Sequence, residues 1–225
     1  MKAGNHINIM KRTFVLAAGL LLTISVFGYF LSDKNRVILY DLKTNFSEKR
    51  LIAINSEAMG RLKEKVIIAK NYVTKNGFDS RYCFLIDMRL PSGKSRFFVY
   101  DMLKDSLETA GLVAHGKGSE RESGELIFSN TPNSNCTSLG KYKISNSYNG
   151  NFGLSYKLIG LDKTNSKAYC RSVVLHSYFG VPKEEVYPAS ICTSEGCPTV
   201  SPEFLTQLKV FMEESKEPIL LWIYY

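Results

Sequence analysis

The sequence predicts a mainly β domain, a sandwich or partial barrel with a few peripheral helices. Three observations carry that expectation. Short runs rich in aromatic and branched residues recur from Tyr82 to the end of the chain. Clusters of Gly, Pro, Asn, Asp and Ser separate them at short intervals. Only two stretches beyond residue 32 carry a helical apolar repeat.

In chain order, residues 33–55 contain Arg36–Tyr40 (RVILY) and then a polar stretch, and read as a tether or as the start of the domain. From Ser56 a helix is expected. Ala58, Leu62, Val66, Ala69 and Val73 form one apolar face, with Ser56 as cap and Gly77 at the end. Tyr82–Met88 and Arg96–Met102 read as strands of a hairpin turned at Pro91-Ser92-Gly93. Leu112–His115 and Leu126–Phe128 read as further short strands, with loops over 116–125 and 129–138. Gly140–Ile144, Gly153–Leu161 and Ala168–His176 continue the strand texture, with turns at Tyr148-Asn149-Gly150 and Asp162–Asn165. Ser177–Thr199 is long and irregular, the kind of segment that carries function in a compact domain. A second helix follows, with Ser201 as N-cap and Pro202 in its first turn. It presents Phe204, Leu205, Leu208, Phe211 and Met212 on one face. Pro218 stops it, and Ile219–Tyr225 reads as a last strand.

The N-terminus points to the cell envelope. Lys2, Lys11 and Arg12 precede an uncharged stretch, Thr13–Ser32. Twenty helical residues span about 30 Å, enough for a bilayer core. This is the pattern of a signal peptide or an uncleaved signal anchor over residues 1–32. The positive-inside rule then places the rest outside the cytoplasm. The expected organisation is this segment, an N-terminal tether and helix over 33–79, and the main β domain over 80–225. A membrane partner is implied through the N-terminus, with a periplasmic or envelope location, anchored or secreted.

Composition excludes other classes. The 225 residues are 44% hydrophobic and 22% charged, which fits an ordinary globular domain. The net charge of +8 favours anionic partners. Yet Lys and Arg are interleaved with Glu in Arg61–Lys70 and Lys209–Lys216, and no nucleic-acid module is present. No nucleic-acid partner is expected. No metal or cofactor is expected either, since no CxxC pairs with His at zinc-ligand spacing.

The five cysteines are Cys83, Cys136, Cys170, Cys192 and Cys197. Thiols outside the cytoplasm tend to pair, and an odd number leaves at least one free. Cys136, Cys170 and Cys192 read as structural thiols or a disulfide. Cys197 differs. It sits in Ser194-Glu195-Gly196-Cys197-Pro198, at the end of the long loop and just before a helix N-terminus, which lowers a thiol pKa. His176 ends a predicted strand and can face it as general base. Amides around Gly196 and Cys197 can point at a developing oxyanion. Against this stand a buried structural thiol and a structural histidine, the commoner roles of each residue. His115, in His115-Gly116-Lys117-Gly118, is either a second histidine at the cleft or an incidental turn residue. Arg171 is either a substrate-carboxylate ligand or a solvated arginine. Asp87 and Asp101 are either a carboxylate pair or, better, surface groups of the hairpin.

These residues resemble the L,D-transpeptidase catalytic domains that act on bacterial peptidoglycan. That family carries a His on one strand and then a Ser/Thr-x-Gly-Cys signature, here His176 and Ser194-Glu195-Gly196-Cys197. Ser138-Leu139-Gly140-Lys141-Tyr142 resembles the family's strand entrance. Val113–Ser119, Phe128–Asn130, Tyr148–Gly150 and Ser194–Ser201 resemble a branch whose signature continues Gly-Cys-Pro-x-Val-Ser. The likeness spans roughly residues 80–223. Glu195 and Pro198 depart from the commonest members. The resemblance implies acyl transfer on a stem tetrapeptide. Cys197 forms a thioester and D-alanine leaves, His176 moves the protons, and the Ser177 carbonyl orients the imidazole. Gly196 lies in the oxyanion hole, and Ser194 is placed to contact substrate. Resolution by a second stem peptide gives a 3-3 cross-link, and resolution by water makes an L,D-carboxypeptidase. A non-catalytic wall-peptide-binding domain is the remaining alternative.

Overall fold

A computed structural model describes residues 56–225. The Thr13–Ser32 stretch and the tether lie outside the described residues, and no described helix is long and apolar enough to cross a membrane. Helix α1 occupies 56–76. Strands follow as β1 (Tyr82–Asp87), β2 (Phe97–Asp101), β3 (Ser106–Gly111), β4 (Gly140–Gly150), β5 (Gly153–Gly160), β6 (Val174–Ser177) and β7 (Thr199–Val200). Helix α2 (Pro202–Glu214) and β8 (Leu220–Tyr224) complete the domain.

The mainly β expectation holds. All eight strands join one mixed sheet in the order β3-β2-β1-β8-β4-β5-β6-β7. Every residue of β1 is buried, as an interior strand covered on both faces requires. It pairs antiparallel with β2 and parallel with β8. The sheet curls on itself, because Ala114, just past β3, bridges Thr199 of β7 at the far end of the order. Core packing runs from Phe84 through Phe97 to Phe204, with edge-to-face rings 5.6 and 5.4 Å apart, tying α2 to the sheet. Helix α1 buries Ala58, Leu62, Val66, Ala69 and Val73, the face its periodicity marks. Gly77, at φ 66°, closes it, and the Phe78 amide returns to the Val73 carbonyl in a Schellman turn. Ser201 caps α2 by accepting from the Phe204 amide at 3.1 Å.

Several local expectations fail for physical reasons. Ser56 is already helical, so it is not the cap. Leu112–His115 and Leu126–Phe128 make only isolated bridges, Ala114 to Thr199 and Glu120 to Leu126. Most of Ala168–His176 is not strand. Turn bonds from Ala168 to Asn165, Arg171 to Lys167 and Ser172 to Tyr169 hold it until Val174. The Asn149-Gly150 pair does not turn the chain, because pairing continues to Gly150↔Gly153 and the turn falls at Asn151-Phe152.

Asp87 and Asp101 are neither a pair nor surface groups. Both are buried, and they close opposite ends of the β1–β2 hairpin, where Tyr82 faces Asp101 and Ile86 faces Phe97. Asp87 accepts from Arg61 at 2.8 Å, and Asp101 from Arg81 at 2.9 Å. Burial alone would raise the Asp101 carboxyl. The Lys104 amide, the Arg81 guanidinium and the Leu103 amide outweigh it and hold the group below its usual range. Its stabilising contribution is therefore complete above the ordinary carboxylate range and is lost as pH falls through the lowered folded-state value. Asp101→Ala is expected to cost about 1–3 kcal/mol at neutral pH. The gap in thermal midpoint between the two proteins should close on acidification, and a gap independent of pH would refute this account.

Candidate active site

The parallel pairing of β6 with β7 sets His176 opposite Thr199. Cys197 lies two residues before Thr199 and Val174 two before His176, so the Val174 amide meets the Cys197 sulfur at 3.4 Å. The turn that carries Cys197 thus runs alongside the strand that carries His176. Strand pairing sets the two segments side by side although the chain between them is long and irregular.

The imidazole is buried, and its tautomer follows from its partners. Nδ1 lies 3.0 Å from the Ser177 carbonyl, which can only accept, so Nδ1 carries the proton. Nε2 is then the basic nitrogen and takes the Thr199 hydroxyl at 3.0 Å. Burial lowers the His176 pKa, partly opposed by the Ser177 carbonyl, so the ring is neutral at neutral pH. Phe152, at the tip of the β4–β5 hairpin, stacks on it with centroids 4.7 Å apart.

Cys197 is half-buried and does not hydrogen-bond His176. Its sulfur engages the Val174 amide and, at 3.8 Å, the carbonyl of Ser172, a non-glycine residue at φ 56°. Burial pushes the thiol above its ordinary range, although the Val174 amide and Arg171 pull it down. All five cysteines are free, so the expected pairing of thiols is absent. Cys136 donates to the Gly118 carbonyl and Cys170 to that of Lys167.

The turn carrying Cys197 is tightly held. Ser194 Oγ donates to the Cys197 carbonyl at 2.7 Å and accepts from the Gly196 amide at 3.1 Å. Gly196 has φ 113°, which disfavours any side chain there. Its amide is committed to Ser194, whereas the Cys197 amide has no hydrogen-bond partner among the described residues. Arg171 gives its guanidinium to the carbonyls of Ser129 and Cys136 and the hydroxyls of Ser134 and Ser138, pinning the 129–138 loop beneath the turn. Ser194 and Arg171 are thus engaged in building the turn rather than open to a ligand. His115 is not brought to Cys197. It pairs with Arg96 and Glu120 in a separate cavity.

A cavity of about 330 Å³ opens beside the thiol, lined by Tyr148, Lys157, Tyr169, Ser172, Val173 and Val174. Lys157 Nζ lies over the rings of Tyr148 and Tyr169, at 5.6 and 5.5 Å. Sequence reasoning missed Lys157, Tyr169 and Thr199. Thr199 had a usable signal, since it lies two residues from Cys197. The Lys157 clamp had none, because its rings come from separate segments.

A family model described as an L,D-transpeptidase catalytic domain matches residues 55–224. No curated protein matches the chain. Among solved structures, an L,D-transpeptidase from Mycobacterium smegmatis aligns at 11% identity and TM-score 0.39, over 64% of this chain and 59% of that one. An L,D-transpeptidase from Xylanimonas cellulosilytica aligns at 11% and 0.38, over 69% of each. The helical cell shape determining protein Pgp2 of Campylobacter jejuni aligns at 11% and 0.41, over 64% of this chain and 47% of that one. The chain therefore spans less than two thirds of two of these proteins, and the family match carries the assignment.

Proposed function

The chain belongs to the L,D-transpeptidase catalytic-domain family, and from that premise we propose that it is an envelope peptidoglycan L,D-transpeptidase with Cys197 as nucleophile and His176 as base. The observation that carries this reading is the placement of the family's Cys in the turn beside the strand that carries its His, with the sulfur on the Val174 amide and the imidazole held neutral with Nε2 as acceptor. In the proposed reaction the Cys197 side chain turns from Val174 toward Nε2, which takes the thiol proton. The thiolate attacks the carbonyl before the terminal D-alanine of a stem tetrapeptide. The Cys197 amide steadies the oxyanion. The C–N bond breaks, His176 returns the proton to the departing amine, and a thioester remains. A second stem peptide's amine resolves it to a 3-3 cross-link, or water resolves it to the shortened stem. Ser177 orients the imidazole. Ser194 and Arg171 position the turn.

Lys157 is proposed to hold a carboxylate of the donor stem in the cavity beside the thiol. Lys157→Ala is expected to raise KM about tenfold with little change in kcat, the pattern of lost ground-state binding. A fall in kcat at constant KM would remove it from substrate binding.

The protein incubated with a disaccharide-tetrapeptide should release D-alanine and yield dimers by mass spectrometry, and a carbapenem should add its mass at Cys197. A second reading, a domain that binds wall peptides without turning them over, draws on the raised thiol and its missing bond to His176. Saturable tetrapeptide binding without D-alanine release would establish that reading instead.

A further inference from the structure

A second cavity, of about 390 Å³, is lined by Arg89, Arg96, Arg121, His115, Glu120 and Ser92 among others. Its lining includes His115 but none of Ser194–Cys197. Residue neighbours in an extended strap point to opposite faces. A Cβ on Gly116 would meet Gly196 Cα at 2.7 Å, so His115 points away from that turn. The cavity is strongly cationic. Arg96 is fully buried, yet its partners are the Leu90 and Val113 carbonyls and His115 Nδ1, none of them charged. Because a guanidinium can only donate, His115 Nδ1 accepts, so the ring is neutral with its Nε2 proton toward Glu120 at 3.2 Å. Glu120 is half exposed and reaches Arg96 only through the imidazole. None of Arg89, Arg96 and Arg121 is in a salt bridge among the described residues. Among the lining side chains, three guanidiniums face one carboxylate. Buried Asp87 acts on Arg96 through space but is itself bonded to Arg61, and the planar forks of the cavity suit carboxylate or phosphate oxygens.

We propose that this cavity is a binding site for a small dianion, a dicarboxylate or a phosphate monoester, separate from the Cys197 site. The test is titration calorimetry of the full-length protein at low salt with glutarate and, separately, with inorganic phosphate. Which of the two binds identifies the source of the oxyanion. One-to-one binding is expected for at least one. The rim variants Arg89→Gln and Arg121→Gln, which leave buried Arg96 in place, should each weaken it about tenfold. Cys197→Ala should bind unchanged, which separates this site from the proposed catalysis. Binding of neither probe, binding untouched by both rim variants, or binding lost in Cys197→Ala would each overturn the proposal.

Discussion

Cys197→Ala is expected to abolish D-alanine release from a disaccharide-tetrapeptide, with a fall in kcat of about 10⁴-fold or more. His176→Ala should fall nearly as far, and the double variant little further, because the two residues act as one unit. The fold should survive Cys197→Ala, since the Cys197 sulfur is bonded only to one amide and one carbonyl. The pH profile supplies a sharper check. Burial lowers the His176 pKa, so its neutral, proton-accepting form prevails above that lowered value. The acid limb of kcat/KM should therefore lie below the ordinary imidazole value of about 6.5. Burial also raises the thiol, so in the resting protein iodoacetamide should modify Cys197 more slowly at neutral pH than a free thiol and faster as pH rises. Rapid alkylation at neutral pH would show that the thiol is activated before substrate arrives.

Gly116→Ala should produce a large effect although it touches no reacting atom. The added methyl would run into the Asn135 carbonyl and meet Gly196 Cα at 2.7 Å. Both neighbours are backbone, so neither can swing aside. Gly116 also donates to Thr137 Oγ1 at 2.9 Å, and the chain around it is zipped to the Cys197 turn by bonds from Ser194 to His115 and from Lys117 to Ser194. Overpacking of this kind costs about 1–3 kcal/mol. A displacement of the turn of about 1 Å is enough to lower turnover about 10²-fold. Unfolding midpoints and kcat of the variant measure the two effects. Wild-type values for both would mean that the strap is more compliant than the packing indicates. The Lys117–Glu195 ion pair on the same strap, 2.6 Å long but exposed at both ends, should matter little when Lys117 is replaced.

Patterns that depend on neighbours along the chain are legible in the residues themselves. The periodicity of Ala58–Val73 names the buried face of α1, Gly77 names its end, and Ser201-Pro202 names the start of α2. The apolar runs at Tyr82, Phe97 and Leu220 name three adjoining strands. Local pairing is where such patterns fail. Asn149-Gly150 carries a strong turn signal, yet both residues still pair with β5 and the chain turns just after them, because a sheet rewards continued hydrogen bonding. Leu112–His115 has strand composition but meets its partners at single bridges. Asp87 and Asp101 read as surface groups because nothing in the sequence announces that Arg61 and Arg81 will reach them.

The sequence by itself determined the family, the mainly β class and the candidate pair His176 and Cys197, because those rest on residue identity and on repeats a few positions long. Only the tertiary structure decided which nitrogen of His176 is basic, that the resting thiol turns to Val174 instead, that Ser194 and Arg171 are occupied in holding the turn, and that His115 belongs with Arg96 and Glu120 elsewhere. Each of these is a competition for hydrogen-bond partners or for distance from water. Such competitions are settled by which distant segments the curled sheet brings together.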